Sequence, residues 1–136
     1  MSRSRKPIVA VAALGFHLWA GAAAADEPRR ATPRMAREAA EENAKTPAGR
    51  RYQSALDSSL DRWLRKSLER CVKGVSRDQA LSFNAFVQVG EKGEAEDVLF
   101  DPETDASRCA APDFRGAKYP SPPQPSWWVK VEVQLK

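Results

Sequence analysis

The last residues of the chain, Ser126 to Lys136, read Ser-Trp-Trp-Val-Lys-Val-Glu-Val-Gln-Leu-Lys. Trp127, Val129, Val131, Val133 and Leu135 alternate with Trp128, Lys130, Glu132, Gln134 and Lys136, and three of the apolar positions are β-branched. A period of two held this long predicts a strand with one buried and one wet face. As the final segment it is expected at a sheet edge, with a row of unpaired N–H and C=O groups. The rest of the chain has to supply the sheet and the layer that covers it.

The start of the chain reads as a targeting segment. Ser2-Arg3-Ser4-Arg5-Lys6 is a basic lead, Pro7 to Ala20 is apolar, and Ala23-Ala24-Ala25 before Asp26 matches a small-residue cleavage site. The expectation is a signal peptide over 1–25, cleaved after Ala25, and a periplasmic location. The competing reading is an uncleaved inner-membrane anchor, since Pro7 to Ala25 approaches the length of a span. Removing Arg3, Arg5 and Lys6 leaves 19 Lys and Arg against 18 Asp and Glu, so the formal +4 of the whole chain falls to +1. A nearly neutral domain lacks the footprint of a nucleic-acid partner, and a membrane is a partner only if the first segment is retained. Cys71 and Cys109 both follow that segment, and in an oxidising compartment such a pair is expected to form a disulfide.

Taken in order, Asp26 to Arg50 holds Pro28, Pro33, Pro47 and Gly49 with charges of both signs. It has almost no large apolar residues, so it reads as a flexible charged tether with one transient helix. Between Arg51 and Lys73, Tyr52, Leu56, Leu60, Trp63, Leu64, Leu68, Cys71 and Val72 recur at spacings of three and four. This predicts one amphipathic helix ending at Gly74. Leu81 to Val89 and Glu94 to Asp101 read as a hairpin around Gly90-Glu91-Lys92-Gly93, with Gly93 in the left-handed position of a G1 bulge. A short helix over Thr104 to Ala111 follows, capped by Asp101, Thr104 or Asp105, stopping near Pro112 and carrying Cys109, with Phe114 packed behind it. Tyr119 to Pro125 is a proline-rich spacer.

The order helix, strand, strand, helix, strand predicts a two-layer α+β domain over 51–136. Its three-stranded antiparallel sheet has the order 2-1-3, with two helices on one face. The glycine turn before Gly93-Glu94-Ala95-Glu96-Asp97-Val98-Leu99-Phe100, then Pro102-Glu103-Thr104, Cys109, Tyr119-Pro120 and the alternating last strand, resembles the TonB C-terminal domain family. The likeness is closest to that family's cysteine-bearing AgmX-like branch, related in fold to the TolA C-terminal domain. It implies a periplasmic module that binds partner peptides by strand addition, a role that would fall on Trp128 to Gln134. The Ser-Ser-Gly turn common in that family is replaced here by Pro102-Glu103-Thr104, and the long proline-rich spacer is missing.

Enzyme chemistry is not expected. The one histidine, His17, lies in the targeting segment, and no Cys/His spacing suits a metal, so no cofactor is anticipated. The acids Glu94, Glu96, Asp97, Asp101, Glu103 and Asp105 read as a solvated turn. If Gly90 pairs with Glu94, then Phe86 faces Val98 and Asn84 faces Phe100. Phe86, Val98, Phe100 and Trp128 would then form an aromatic patch on the open sheet face, beside Lys130, Glu132 and Gln134. The alternative is a one-residue slip that turns Val98 and Phe100 inward. The expected partner is a protein or peptide of the cell envelope, with an edge-paired homodimer as the alternative, and Val131→Pro is expected to block strand addition. From a different class, a small exported inhibitor or immunity-type protein would act through Tyr119 to Pro125.

Overall fold

A computed structural model of the chain describes residues 30–73 and 82–134. The expected signal peptide, Gly74, Leu81 and Leu135 lie outside the described residues. The elements are α1 (Pro33–Lys45), α2 (Pro47–Leu60), α3 (Leu64–Val72), β1 (Phe83–Val89), β2 (Ala95–Asp101), α4 (Asp105–Gly116) and β3 (Trp127–Val133). The sheet is three-stranded and antiparallel in the order β2-β1-β3, as expected from the chain order.

The hairpin turn follows its sequence. Gly93 has φ +84, and a Cβ there would lie 2.1 Å from the Tyr119 carbonyl oxygen, so both conformation and space demand glycine. The Gly90 N–H donates to Glu94 O at 2.8 Å and the Gly93 N–H to Gly90 O at 2.9 Å. A second irregularity then overturns the expected aromatic patch. The register shifts between Gln88 and Val89: Val89 pairs with Ala95 but Gln88 with Asp97, so Glu96 is the extra residue of a β-bulge. Beyond the bulge, Phe86 pairs with Leu99, Val87 with Val98 and Ala85 with Phe100. Val98 (7 % exposed) and Phe100 (8 %) therefore face the core.

That core joins Phe83, Ala85, Val87, Val89, Val129, Val131 and Val133 of the sheet to Tyr52, Leu56, Leu60, Cys71, Ala110 and Phe114 of the helices. Phe114 sits at its centre, edge-on to Trp63 at 5.1 Å, Phe100 at 5.5 Å and Phe83 at 6.4 Å between ring centroids. The expected single helix over 51–73 is two. Trp63 N–H bonds to Leu60 O at 3.1 Å, a tight i→i+3 turn that ends α2 and re-aims α3. The break lets the Trp63 indole reach Phe114 and brings α3 against α4, where Cys71 and Cys109 form the expected disulfide. With the two cysteines 38 positions apart in sequence, the chain-entropy model gives about 4 kcal/mol of stabilisation. Ser67 and Arg70 reinforce the seam, each donating to Asp113 Oδ2 at 2.6 Å. The Ser67 hydrogen bond, helped by Arg70, pulls the Asp113 carboxyl below its ordinary value.

The fourth helix is longer than expected. Thr104 caps it in a reciprocal pair with Ser107: Ser107 N–H donates to Thr104 Oγ1 at 3.0 Å, and Thr104 N–H to Ser107 Oγ at 2.8 Å. Pro112 lies inside the helix rather than ending it, because the fully buried Phe114 holds the last turn against the core. The proline-rich spacer is tied at its start: Tyr119 OH donates to Phe114 O at 2.6 Å, Tyr52 OH to Pro120 O at 2.8 Å, and Tyr119 N–H to Gly93 O at 2.8 Å. From Pro123 to Ser126 it is exposed.

The second face of the sheet is the largest departure from expectation. The segment read as a tether holds α1, which packs across all three strands, and the compact unit begins at Ala31 rather than Arg51. Ala36 and Ala40 are buried against Phe86 (0 % exposed) and Trp128 (9 %), with Leu99 beside them. The Arg37 guanidinium lies 5.7 Å from the centre of the Phe86 ring and pairs with Asp101. The domain is therefore a sheet between α1 on one side and α2, α3 and α4 on the other.

Phe114→Ala is expected to cost about 3–5 kcal/mol in denaturant unfolding, because three rings lose their common partner; a cost near zero would remove Phe114 from the centre of the core. A second expectation concerns alkaline pH. Burial raises the Tyr52 phenol from 10.0 to about 12, and burial raises Tyr119 further. Each folded-state pKa lies above its unfolded value, so this stability is complete below pH 10 and is lost as pH rises through about 12. Tyrosinate absorbance should appear together with loss of circular dichroism above pH 10, not before it.

Candidate functional site: the outer edge of the last strand

The geometry of β1 decides which backbone groups of β3 are free. In an antiparallel ladder a residue's N–H and C=O point to the same side, and alternate residues point to opposite sides. Gly90 bonds with Glu94, and Asn84, Phe86 and Gln88 share its parity, so these even-numbered residues face β2. Ala85, Val87 and Val89 consequently face β3, where they pair with Val131, Val129 and Trp127. The odd residues of β3 are spent on that ladder, and Trp128, Lys130 and Glu132 turn their backbone groups outward.

Two side chains occupy part of this edge. Asn43 Nδ2, near the end of α1, donates to Trp128 O at 3.0 Å, and Gln53 Nε2 of α2 donates to Lys130 O at 3.5 Å. Both reach the strand because α1 and α2 turn sharply around its edge. Thr46 ends one helix and caps the next, its Oγ1 donating to Asn43 O at 2.8 Å and accepting from Gly49 N–H at 2.9 Å. At Gly49 a Cβ would stand 1.8 Å from Asn43 O, so the corner closes only around glycine. The expected free edge is thus capped at the Trp128 and Lys130 carbonyls and open at the Lys130 and Glu132 N–H groups and the Glu132 carbonyl.

The open part lies in a groove of about 670 Å³. Ala40, Glu41 and Ala44 of α1 form one wall, and Asp57, Leu60, Asp61 and Leu64 form the other, with Lys130, Val131 and Glu132 as its floor. Lys45, on the rim, is engaged by Glu42 at 3.0 Å, whose carboxylate raises its pKa above 10.5. Asp57, Asp61, Glu41 and Lys130 have no ion pair among the described residues.

The sequence-derived site divides three ways. Lys130 and Glu132 stand on the outer edge of β3, and Gln134, one residue past the end of that strand, donates from Nε2 to Glu132 Oε1 at 2.9 Å. Phe86 and Trp128 share a face but lie under α1, while Val98 and Phe100 lie on the opposite face, so no aromatic patch is exposed. Val131→Pro is likewise no probe of the edge, because the Val131 N–H points at β1 and its loss would break the sheet. Asn43, Gln53, Leu64, Asp57 and Asp61 were not legible as site residues. Gln53, Asp57 and Asp61 follow one another at spacings of four, while Asn43 and Leu64 lie on the neighbouring helices, and nothing local says that a strand edge runs between them.

A second cleft of about 460 Å³ includes Arg62, Trp63, Lys66, Ser67, Arg70 and Asp113. Its polar core is the Ser67–Asp113–Arg70 strut that joins α3 to α4. The Trp63 Nε1 is the one buried side-chain nitrogen or oxygen without a partner among the described residues. No group of three or more His, Cys, Asp or Glu suited to a metal occurs among the described residues, and no helix there is long and apolar enough to cross a membrane.

Comparison of the chain with protein-family models, with curated proteins and with solved structures finds no match.

Hydrogen exchange read residue by residue tests that geometry. The amides of Lys130 and Glu132 should exchange well before those of Val129 and Val131. Equal protection of Glu132 and Val131 would mean that the outer edge is already paired.

Proposed function

We propose that this chain is an exported, non-catalytic binding module that takes an extended peptide segment of a partner protein into the groove beside β3, adding a strand to the sheet. The observation that carries this reading is the outward backbone of Lys130 and Glu132 at the floor of a groove. An added strand gains main-chain hydrogen bonds there, while the walls contact its alternate side chains. The disulfide supports an oxidising compartment, and the leader-like first residues support export to the periplasm. The resemblance to TonB C-terminal domains supports the same mode of binding, with Trp128 replaced as a contact by the helical walls. Force transmission, as in an energy-coupled transporter, is not part of the proposal. A second copy of the chain is a poorer occupant, since its own β3 is recessed between the same walls.

The test is selection of random displayed peptides on the full-length chain, followed by binding measurements on the enriched sequences. Glu132→Pro removes an outward N–H without touching the ladder, and Ala44→Trp fills the groove from α1. Each should weaken binding by tenfold or more, about 1.4 kcal/mol, while leaving circular dichroism unchanged. Selected peptides that bind both variants as they bind the parent would sink the proposal.

A further inference from the structure

Resting on that docking reading, we infer that the groove selects segments with lysine or arginine at alternate positions, those whose side chains point toward α2 and α3. The reasoning follows the pleat. A docked residue directly opposite Lys130 or Glu132 shares their face and points toward α1, and its immediate neighbours point the other way. Those neighbours meet Leu60 and Leu64, with Asp57 and Asp61 on the same wall.

Asp57 and Asp61 stand four residues apart, so two like charges face the same side of the chain. Asp57 accepts only a 3.4 Å hydrogen bond from the neutral Gln53, and neither carboxylate has an ion pair among the described residues. A lysine or arginine fits this wall in both of its parts. The aliphatic stem covers leucine and the charged head stays at the wet rim beside the carboxylates. The α1 wall differs: Ala40 and Ala44 leave space but little apolar area for an aliphatic stem, and the charges on that side are mixed, Glu41 and Glu132 against Lys130. The positions between the basic residues are accordingly the less selective ones, and uncharged residues suffice there.

The probes are two fluorescein-labelled peptides, Ac-Thr-Val-Lys-Val-Lys-Val-Thr-amide and the same sequence with both lysines replaced by glutamate, titrated by anisotropy against the full-length chain. The lysine peptide should bind about tenfold more tightly at low salt, since partly exposed charge pairs contribute modestly and additively. The difference should fall below about threefold in the double variant Asp57→Asn/Asp61→Asn, and likewise in about 0.5 M salt, where screening is short-ranged. Equal affinities for the two peptides, both lost in Glu132→Pro, would overturn charge selection and leave strand docking standing. A tenfold difference that survives the double variant would overturn the assignment to Asp57 and Asp61. Absence of binding by either peptide, or binding indifferent to Glu132→Pro, would remove the docking reading and this inference together.

Discussion

A strand with a neighbour on each side has to divide its backbone between them, and β1 is such a strand. Its even residues bond to β2 and its odd residues to β3, and this parity propagates outward. It fixes that Val129 and Val131 close the sheet and that Lys130 and Glu132 face away from it. The same alternation sorts the side chains, sending Phe83, Ala85, Val87 and Val89 into the main core and Phe86 under α1. The order of the sheet, the composition of both layers and the identity of the free groups therefore share one cause. Moving β1 by one residue would exchange all three at once.

Much of this was legible because alternation is a strong local signal. The three strands, their antiparallel order, the Gly93 turn and the Cys71–Cys109 bridge all follow from residue type and spacing, and Thr104 was one of three caps that residue type offered. What was not legible depends on partners far along the chain. The helix α1 was read as a tether because its own residues carry little apolar mass; the apolar mass is on the sheet, in Phe86 and Trp128. Ala36 and Ala40 contribute by being small enough to let the helix approach them. An amphipathic helix is recognised by its large residues, and this one has its large residues on the other partner.

The hairpin register, which the sequence leaves open between two alternatives, has a related origin. The turn correctly predicts the Gly90–Glu94 pair, but Glu96 carries no sequence mark that distinguishes a bulged residue from a paired one. The decision is made by burial: with the bulge, Val98 and Phe100 join Phe83 and Phe114 in the core. Without it they would face solvent or compete with Phe86 for the alanine face of α1. Burying two further large side chains favours the bulge by about 1.5–3 kcal/mol each, more than the cost of one unpaired ladder position.

Both sheet edges are managed, and they are managed differently. On β2 the Val98 N–H, which points away from β1, bonds to its own neighbour, Asp97 Oδ1, at 2.9 Å, and acidic side chains flank it. On β3, Asn43 and Gln53 cap two carbonyls and leave the Lys130 and Glu132 N–H groups and the Glu132 carbonyl to solvent. Three such groups, at about 0.5–1.5 kcal/mol net each, do not offset an association cost of about 4–15 kcal/mol. The proposed docking at this edge would therefore depend on the walls, and the helical corner around Thr46 matters because it holds one of those walls on each side of the strand. The Gln53 contact, at 3.5 Å the longer of the two caps, would exchange for a peptide N–H at little cost, lengthening the available edge toward Trp128. On the proposed reading, a partner gripped by so few backbone groups would be bound weakly and released quickly unless it were tethered nearby, where a raised effective concentration supplies what the contact area does not.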